Sequence, residues 1–279
     1  MRCSEASLAA GETLAGTATR AERWLLLEVR STWGRDVLPE SDLPEPVKEH
    51  LSRWLAGTPN ARVLFVRRPK RWGAATIVAF AVSTAEGGGE AGRLELGAYE
   101  DLLDADLGRD GEPVEYPLFL VCTHGRRDAC CSRNGVPLYD ALRGLVPEDA
   151  LWQSSHQGGH RFAANLLALP AGISLGRVAA GEAAAVVTAL RLGRIPLAHF
   201  RGRTFYAPAA QTAEIAVRER FGLTGFADLA LEREQAGLVT FAVRGHGSVD
   251  VVVEEQPGPP VPQSCGAEPE STPRYSVRW

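Results

Sequence analysis

Long apolar runs are missing from this chain of 279 residues. No stretch approaches the ~20 residues that a membrane-spanning helix needs, and the opening MRCSEASLAAGETLAG holds no apolar core of the kind a secretion leader carries. These absences predict a soluble, unexported, cytoplasmic protein with no membrane partner. Neither sign of charge dominates: 30 Lys and Arg stand against 34 Asp and Glu, a net of -4, so no global field draws the chain to nucleic acid. No G-x-G-x-x-G follows a strand-like run and no Walker loop occurs, which removes the common nucleotide fingerprints. Cysteine is scarce, odd in number and irregularly spaced at Cys3, Cys122, Cys130, Cys131 and Cys265. That pattern argues against a secreted disulfide scaffold and for metal or redox work in a reducing compartment. No repeat recurs at solenoid periods. Methionine occurs once and arginine far outnumbers lysine, a composition of GC-rich coding sequence to which no functional meaning attaches.

What is present is a globular composition, 45% hydrophobic and 23% charged, in a chain long enough for one large or two ordinary domains. Apolar runs at residues 24–29, 62–66, 75–82 and 93–96 read as strands, and 45–55 reads as a helix with Pro46 in its first turn and Val47, Leu51, Trp54 and Leu55 on one face. Residues 86–92 resemble a hairpin loop and 107–113 a linker. The order then becomes regular: strand 117–122, helix 135–145, strand 150–154, a hairpin of 165–169 and 173–178, and helix 181–192. This β-α-β-β-β-α order is close to the thioredoxin core. Pro170 has two readings, the cis-proline of thioredoxin-type folds and an ordinary turn proline, and its place in the hairpin favours the second. Beyond it come a helix at 209–221 and strands at 238–244 and 248–254, then a tail rich in Pro and Gly that predicts surface coil. The expected fold class is α+β: an N-terminal α+β domain (1–112), a thioredoxin-like domain (113–195), an α+β segment packing on the first domain (196–255) and an irregular tail (256–279).

The chemistry concentrates in VCTHGRRDACC and SSHQGGH. Cys122 falls at the carboxyl end of a buried strand, where α/β folds place ligand groups, and Cys131 follows after a loop. His156 and His160 are spaced i, i+4 around Gly158 and Gly159, so a helical turn or a tight glycine loop presents both imidazoles to one point. Two thiolates and two imidazoles suit tetrahedral zinc or an iron-sulfur cluster with mixed ligands, and composition does not separate these.

The surrounding sequence, VCTHGRRDACCSRNGVPLYDAL followed by SSHQGGHRFAANLLALPAGISLGRV, resembles the thioredoxin-like 2Fe-2S ferredoxins, with a His-x3-His pair where those proteins have Cys-x3-Cys. Together with GTATRAERWLLLE, RGRTFYAPAAQTAE and PVPQSCG, it is similar to the sucrase/ferredoxin-like family over nearly the whole chain. The resemblance implies a 2Fe-2S cluster with Cys122, Cys131, His156 and His160 as ligands. Of the adjacent Cys130 and Cys131 only one faces the cluster; Cys131 fits the family spacing, with Cys130 as the alternative ligand or a buried spare thiol. No carboxylate pair suited to glycoside hydrolysis is evident, so the protein is not read as a sucrase.

Around the ligands, Arg126 and Arg127 are candidates to hydrogen-bond cluster sulfur, against the plainer reading of a pair with a nearby carboxylate. Gly158 and Gly159 would let backbone approach the cluster. His124 reads as a polar loop histidine, and Cys3 and Cys265 as free thiols without partners. The run Arg67, Arg68, Pro69, Lys70, Arg71 and the pair Arg201 and Arg203 read as basic surface patches, and Trp72 and Tyr206 as packing residues. The expected function is intracellular electron transfer, on its own or as part of an oxidoreductase, to or from an unidentified redox partner protein. The alternatives are a zinc-binding structural module on the same ligands, and a thiol oxidoreductase, which would leave the histidines without a role.

Overall fold

Successive residues of a strand face opposite sides of its sheet, and in the central strands of this protein both sides are apolar. The structure, a computed structural model, describes residues 1–71, 73–108 and 110–279; Trp72, expected as a packing residue, lies outside them. Ten strands form one mixed sheet: β1 (Arg23–Glu28), β2 (Ala61–Arg67), β3 (Ile77–Ser83), β4 (Glu90–Leu96), β5 (Glu112–Pro113), β6 (Leu118–Cys122), β7 (Leu151–Ser154), β8 (Leu166–Leu169), β9 (Ile173–Leu175) and β10 (Phe200–Arg203). Their order is β10-β9-β8-β6-β7-β2-β1-β3-β4-β5. Four helices accompany them: α1 (Cys3–Ala9) at the start, α2 (Glu45–Gly57) between β1 and β2, α3 (Ala129–Leu142) between β6 and β7, and α4 (Ala183–Arg191) after β9.

The sheet has two halves with one plan. In the first, β1 pairs parallel with β2 and antiparallel with β3, which pairs antiparallel with β4. In the second, β6 pairs parallel with β7 and antiparallel with β8, which pairs antiparallel with β9. The halves join antiparallel through β2 and β7, where Val66 faces Ser154 and Arg67 faces Gln153. Strand alternation builds three cores from this arrangement. Leu25 and Leu27 meet Val47 and Leu51 of α2, and Phe119 and Val121 meet Leu138 and Leu142 of α3. Trp24 and Leu26 share a third core with Leu118, Leu120, Phe80 and Trp152. Burying each such side chain contributes about 1.5–3 kcal/mol. The expected boundary at 112/113 falls in β5, and strands on either side of it share this sheet and the third core.

The two halves differ at the carboxyl ends of their first strands. β1 ends in the buried Glu28, held by Arg30 and Arg71. β6 ends in Cys122.

A second sheet, in the order β11-β12-β13-β16, follows α5 (Pro208–Phe221): β11 (Leu229–Gln235), β12 (Leu238–Val243), β13 (Gly247–Pro257) and β16 (Pro273–Arg278), with β14 (Val261–Pro262) and β15 (Pro269–Glu270) paired beside it. Ala210, Ala213 and Val217 of α5 pack on Phe241, Val251 and Val253. The tail was expected as coil; instead β16 pairs with β13, Val277 opposite Val253. The long β13 leaves a hydrogen-bonding edge that the tail satisfies, and Tyr275 and Val277 join the core beneath it. β11 carries no clear strand signal because LALEREQ is largely polar and exposed. The Leu169–Pro170 bond is cis, where an ordinary turn proline was expected. The architecture is mixed α+β, and no helix among the described residues is long and apolar enough to cross a membrane.

Candidate metal centre

Helix α3 begins at Ala129, earlier than the predicted residue 135, because Asp128 caps it: its carboxylate accepts the N–H of Cys130 at 2.8 Å. Cys130 and Cys131 therefore lie in the first helical turn, where neighbours project about 100° apart, and the thiols face different ways. Cys131 faces Cys122 and His156. The ligand atoms of these three residues lie within 4.8 Å of one another, with Cys131 Sγ 3.7 Å from His156 Nδ1. What permits this approach is Gly135: a Cβ there would lie 2.0 Å from the Cys122 carbonyl oxygen, so only glycine lets α3 rest on the end of β6.

His160 stands outside that compact group but beside it, its ring centroid 4.9 Å from that of His156. Its Nε2 meets the carbonyl oxygen of Gln263. A carbonyl only accepts, so Nε2 carries the proton and Nδ1 is left with a bare lone pair. That Nδ1 is buried and has no partner among the described residues. An orphaned buried nitrogen costs about 1–3 kcal/mol, and a cation is the natural group to remove that cost.

The loop carrying both histidines is held from behind. Gly158 and Gly159 have φ of 96° and 69°, and Cβ atoms on them would lie 2.0 Å from Thr19 Oγ1 and 2.5 Å from Arg201 Nη2. The atoms that crowd these glycines thus belong to Thr19 and Arg201. Arg201 is buried and donates to the Gly158 carbonyl at 3.0 Å, to Asn165 Oδ1 at 2.9 Å and to Thr17. Arg201 and Arg203 were expected as a basic surface patch; both are buried, Arg203 against Glu214 at 2.9 Å. The earlier basic run is also tied into the fold: Arg67 stacks on Trp33, Arg68 pairs with Asp149 and Arg71 with Glu28.

Electrostatics single out the sulfur pair. The hydrogen bond with Cys131 holds the Cys122 thiol well below its ordinary value despite burial, and His156 reinforces this. The same bond pushes Cys131 up. The shared hydrogen bond thus favours the thiolate on Cys122 and the thiol on Cys131. Burial pushes His160 down, with His156 adding to it and Asp128 opposing, so a neutral imidazole is favoured. His124, expected as a polar loop residue, is buried: Nε2 lies 2.7 Å from the Gly34 carbonyl oxygen and the ring packs edge-on to Trp33. Arg127 pairs with Asp36 and Arg126 is exposed, and neither makes a described hydrogen bond to a site sulfur.

The residues missed by the sequence reading are those far away in the chain. Cys3 and Cys265, expected to be without partners, converge with Cys130 on Asp128. Gln263, Arg201 and Thr19 support the histidine loop. None shares a spacing pattern with the motifs; the cysteine pair at 130 and 131 was the one hint of a second thiol cluster.

The donors define a buried cysteine and histidine centre able to hold a metal on an α+β scaffold. Residues 14–202 match the sucrase/ferredoxin-like family, and the chain belongs to that family. It is also similar to altered inheritance of mitochondria protein 32 of Eremothecium gossypii, 42% identical over 59 residues. That match covers 20% of this chain, and the chain spans about a fifth, 19%, of that relative's length. No solved structure matches the chain significantly.

Proposed function

We propose that this protein transfers single electrons by means of a 2Fe-2S cluster held by Cys122, Cys131, His156 and His160. The observation that carries the reading is the buried, unpartnered Nδ1 of His160 beside the Cys122, Cys131 and His156 group. Two thiolates and two imidazoles are the donor set of Rieske-type centres, whose cluster supplies one-electron chemistry at a potential raised by the neutral imidazoles. The residues present suit that group: Cys122 is disposed to the thiolate form, His160 to the neutral form, and the hydrogen bond to Gln263 orients the latter's ring.

The strand order β7-β6-β8-β9, with α3 crossing between parallel β6 and β7, supports a thioredoxin-like ferredoxin unit over residues 113–195. Half-buried imidazoles put the centre near a surface, as transfer to a redox partner protein requires. Such a partner is a reductase or an electron acceptor, and a cytoplasmic setting keeps the thiols reduced.

Absorption and EPR spectra of the full chain purified without air, with iron and acid-labile sulfide counted, test this. A coloured protein with two irons and two sulfides per chain is expected; a colourless, iron-free protein overturns it. A second reading, one zinc ion on the same residues, is favoured by the compactness of the site: the 3.7 Å between Cys131 Sγ and His156 Nδ1 is close to the edge of about 3.5 Å that tetrahedral zinc imposes. It predicts a colourless protein that loses its fold with chelator.

A further inference from the structure

Helix α1, the first turn of α3 and the strap between β14 and β15 each contribute one cysteine to a single buried point. Cys3 Sγ lies 3.6 Å from Cys130 Sγ, Cys130 Sγ 3.4 Å from Cys265 Sγ, and Cys265 Sγ 3.7 Å from Cys3 Sγ. The three sulfurs form a nearly equilateral triangle. Asp128 stands over it, Oδ1 being 3.2 Å from Cys265 Sγ and 3.6 Å from Cys3 Sγ. Its carboxylate is fixed by the N–H groups of Cys130 and Cys265 and by Ser264 Oγ at 2.8, 2.7 and 3.0 Å. Cys3 and Cys130 are fully buried and Asp128 is 5% exposed.

We propose that Cys3, Cys130, Cys265 and Asp128 form a second metal site, taking zinc or another soft divalent cation, distinct from the centre at Cys122 and Cys131. Tetrahedral thiolate zinc, with bonds of about 2.3 Å, has sulfur–sulfur edges of about 3.8 Å, and the three edges here come within a few tenths of that. Thiolates select soft ions, and a carboxylate is an accepted fourth ligand. Spare thiols acting as small hydrophobes pack against apolar groups; these three touch Ala163 but also crowd an ionised carboxylate, which a purely hydrophobic role does not require. A disulfide joins two sulfurs and gives the third no role. On binding, three S–H bonds are exchanged for three S–metal bonds and three protons pass to solvent, with no change of oxidation state.

The site cross-links both ends of the chain to α3. Gln263, two residues before Cys265, is the residue that orients His160, and Asp128 Oδ2 lies 3.8 Å from His160 Nε2. The ion therefore fixes the strap that positions one imidazole of the neighbouring centre, and does no redox work itself.

The test uses the full chain, stripped of metal and titrated without air with cobalt(II), whose bonds to thiolate absorb strongly. His156→Ala/His160→Ala protein provides the background, because it disables the first centre and leaves this one. About one equivalent of thiolate-bound cobalt is expected there, falling at least about tenfold when Cys3→Ser and Cys265→Ser are added. Cys265→His, which restores a ligand, recovers binding, and circular dichroism checks that each variant is folded. As purified, the Cys3→Ser/Cys265→Ser chain lacks the zinc that wild type carries. Cobalt binding unchanged by the cysteine substitutions overturns the proposal. So does a stable Cys130–Cys265 disulfide found by peptide mapping of protein prepared without oxidant. Neither result bears on the cluster reading, which stands or falls on iron and colour.

Discussion

His160 gives its Nε2 proton to the carbonyl oxygen of Gln263, a residue 103 positions further along the chain. The bond fixes which ring nitrogen is free, and that nitrogen, Nδ1, is buried without a partner. His156 presents the same atom, Nδ1, toward Cys131. The two imidazoles thus offer matching nitrogens, but their other sides differ: one is held by a carbonyl, while no described hydrogen bond engages Nε2 of His156.

That asymmetry predicts where a proton enters. With the cluster in place, the reduction potential should fall with rising pH by up to about 59 mV per unit, the one-electron, one-proton slope, wherever reduction brings a proton onto an imidazole ligand. Spectropotentiometry across mildly acid to alkaline pH measures this. A His156→Cys variant should retain a cluster with a lower, flatter potential, and a flat wild-type profile would remove proton coupling from the mechanism.

Gly135→Ala should destabilise the protein by about 1–3 kcal/mol, the usual cost of overpacking, because its Cβ would sit 2.0 Å from the Cys122 carbonyl. The displacement of α3 also separates Cys131 from Cys122, so metal retention through a chelating column should drop together with the urea midpoint. An unchanged midpoint would show that the helix does not need this close approach.

Arg201→Met removes the donor that serves the Gly158 carbonyl, Asn165 and Thr17 from a fully buried position. Leaving those acceptors unpaired should cost about 2–4 kcal/mol, and hydrogen exchange should quicken in residues 156–162 before it does in β6. Uniform exchange along the chain would deny Arg201 a specific role in bracing that loop.

Stability of the metal-free protein should depend on pH through two histidines, His124, which is buried, and His160, which is half-buried. Burial pushes His124 and His160 down, so as pH drops through about 6.5 the unfolded chain binds protons that the native state does not. Native stability therefore declines with acidification in that window, by at most about 1.4 kcal/mol per group per pH unit, and is retained above it. Urea unfolding between pH 7.5 and 5 should show the decline, shallower in His124→Asn; superimposable curves for the two proteins would contradict it.

Much of this scaffold was legible in the sequence because its signals are short-ranged. Strands β1, β2, β3, β6, β7 and β8 and helices α2, α4 and α5 lie close to the predicted runs, since alternation and helical spacing act over a few residues. The N-terminus of α3 was misplaced because DACCSRNG reads as loop until Asp128 is recognised as its cap. β16 and β11 were missed because each is a polar edge strand whose stability comes from its neighbour. The likeness between the two sheet halves has no sequence signature either: the positions that match, Glu28 and Cys122, carry opposite chemistry.

The sequence by itself determined the candidate ligand types, their spacing and most of the elements that bear them, because thiols, imidazoles and hydrophobic periodicity are local properties. Only the tertiary structure decided that Cys131 faces Cys122 while Cys130 faces Cys3 and Cys265, that Arg201 and Arg203 lie inside, and that Gln263 selects the free nitrogen of His160. These are contacts between residues up to 262 positions apart. They arise from how sheets and helices close on one another, and no short stretch of chain carries a record of that closure.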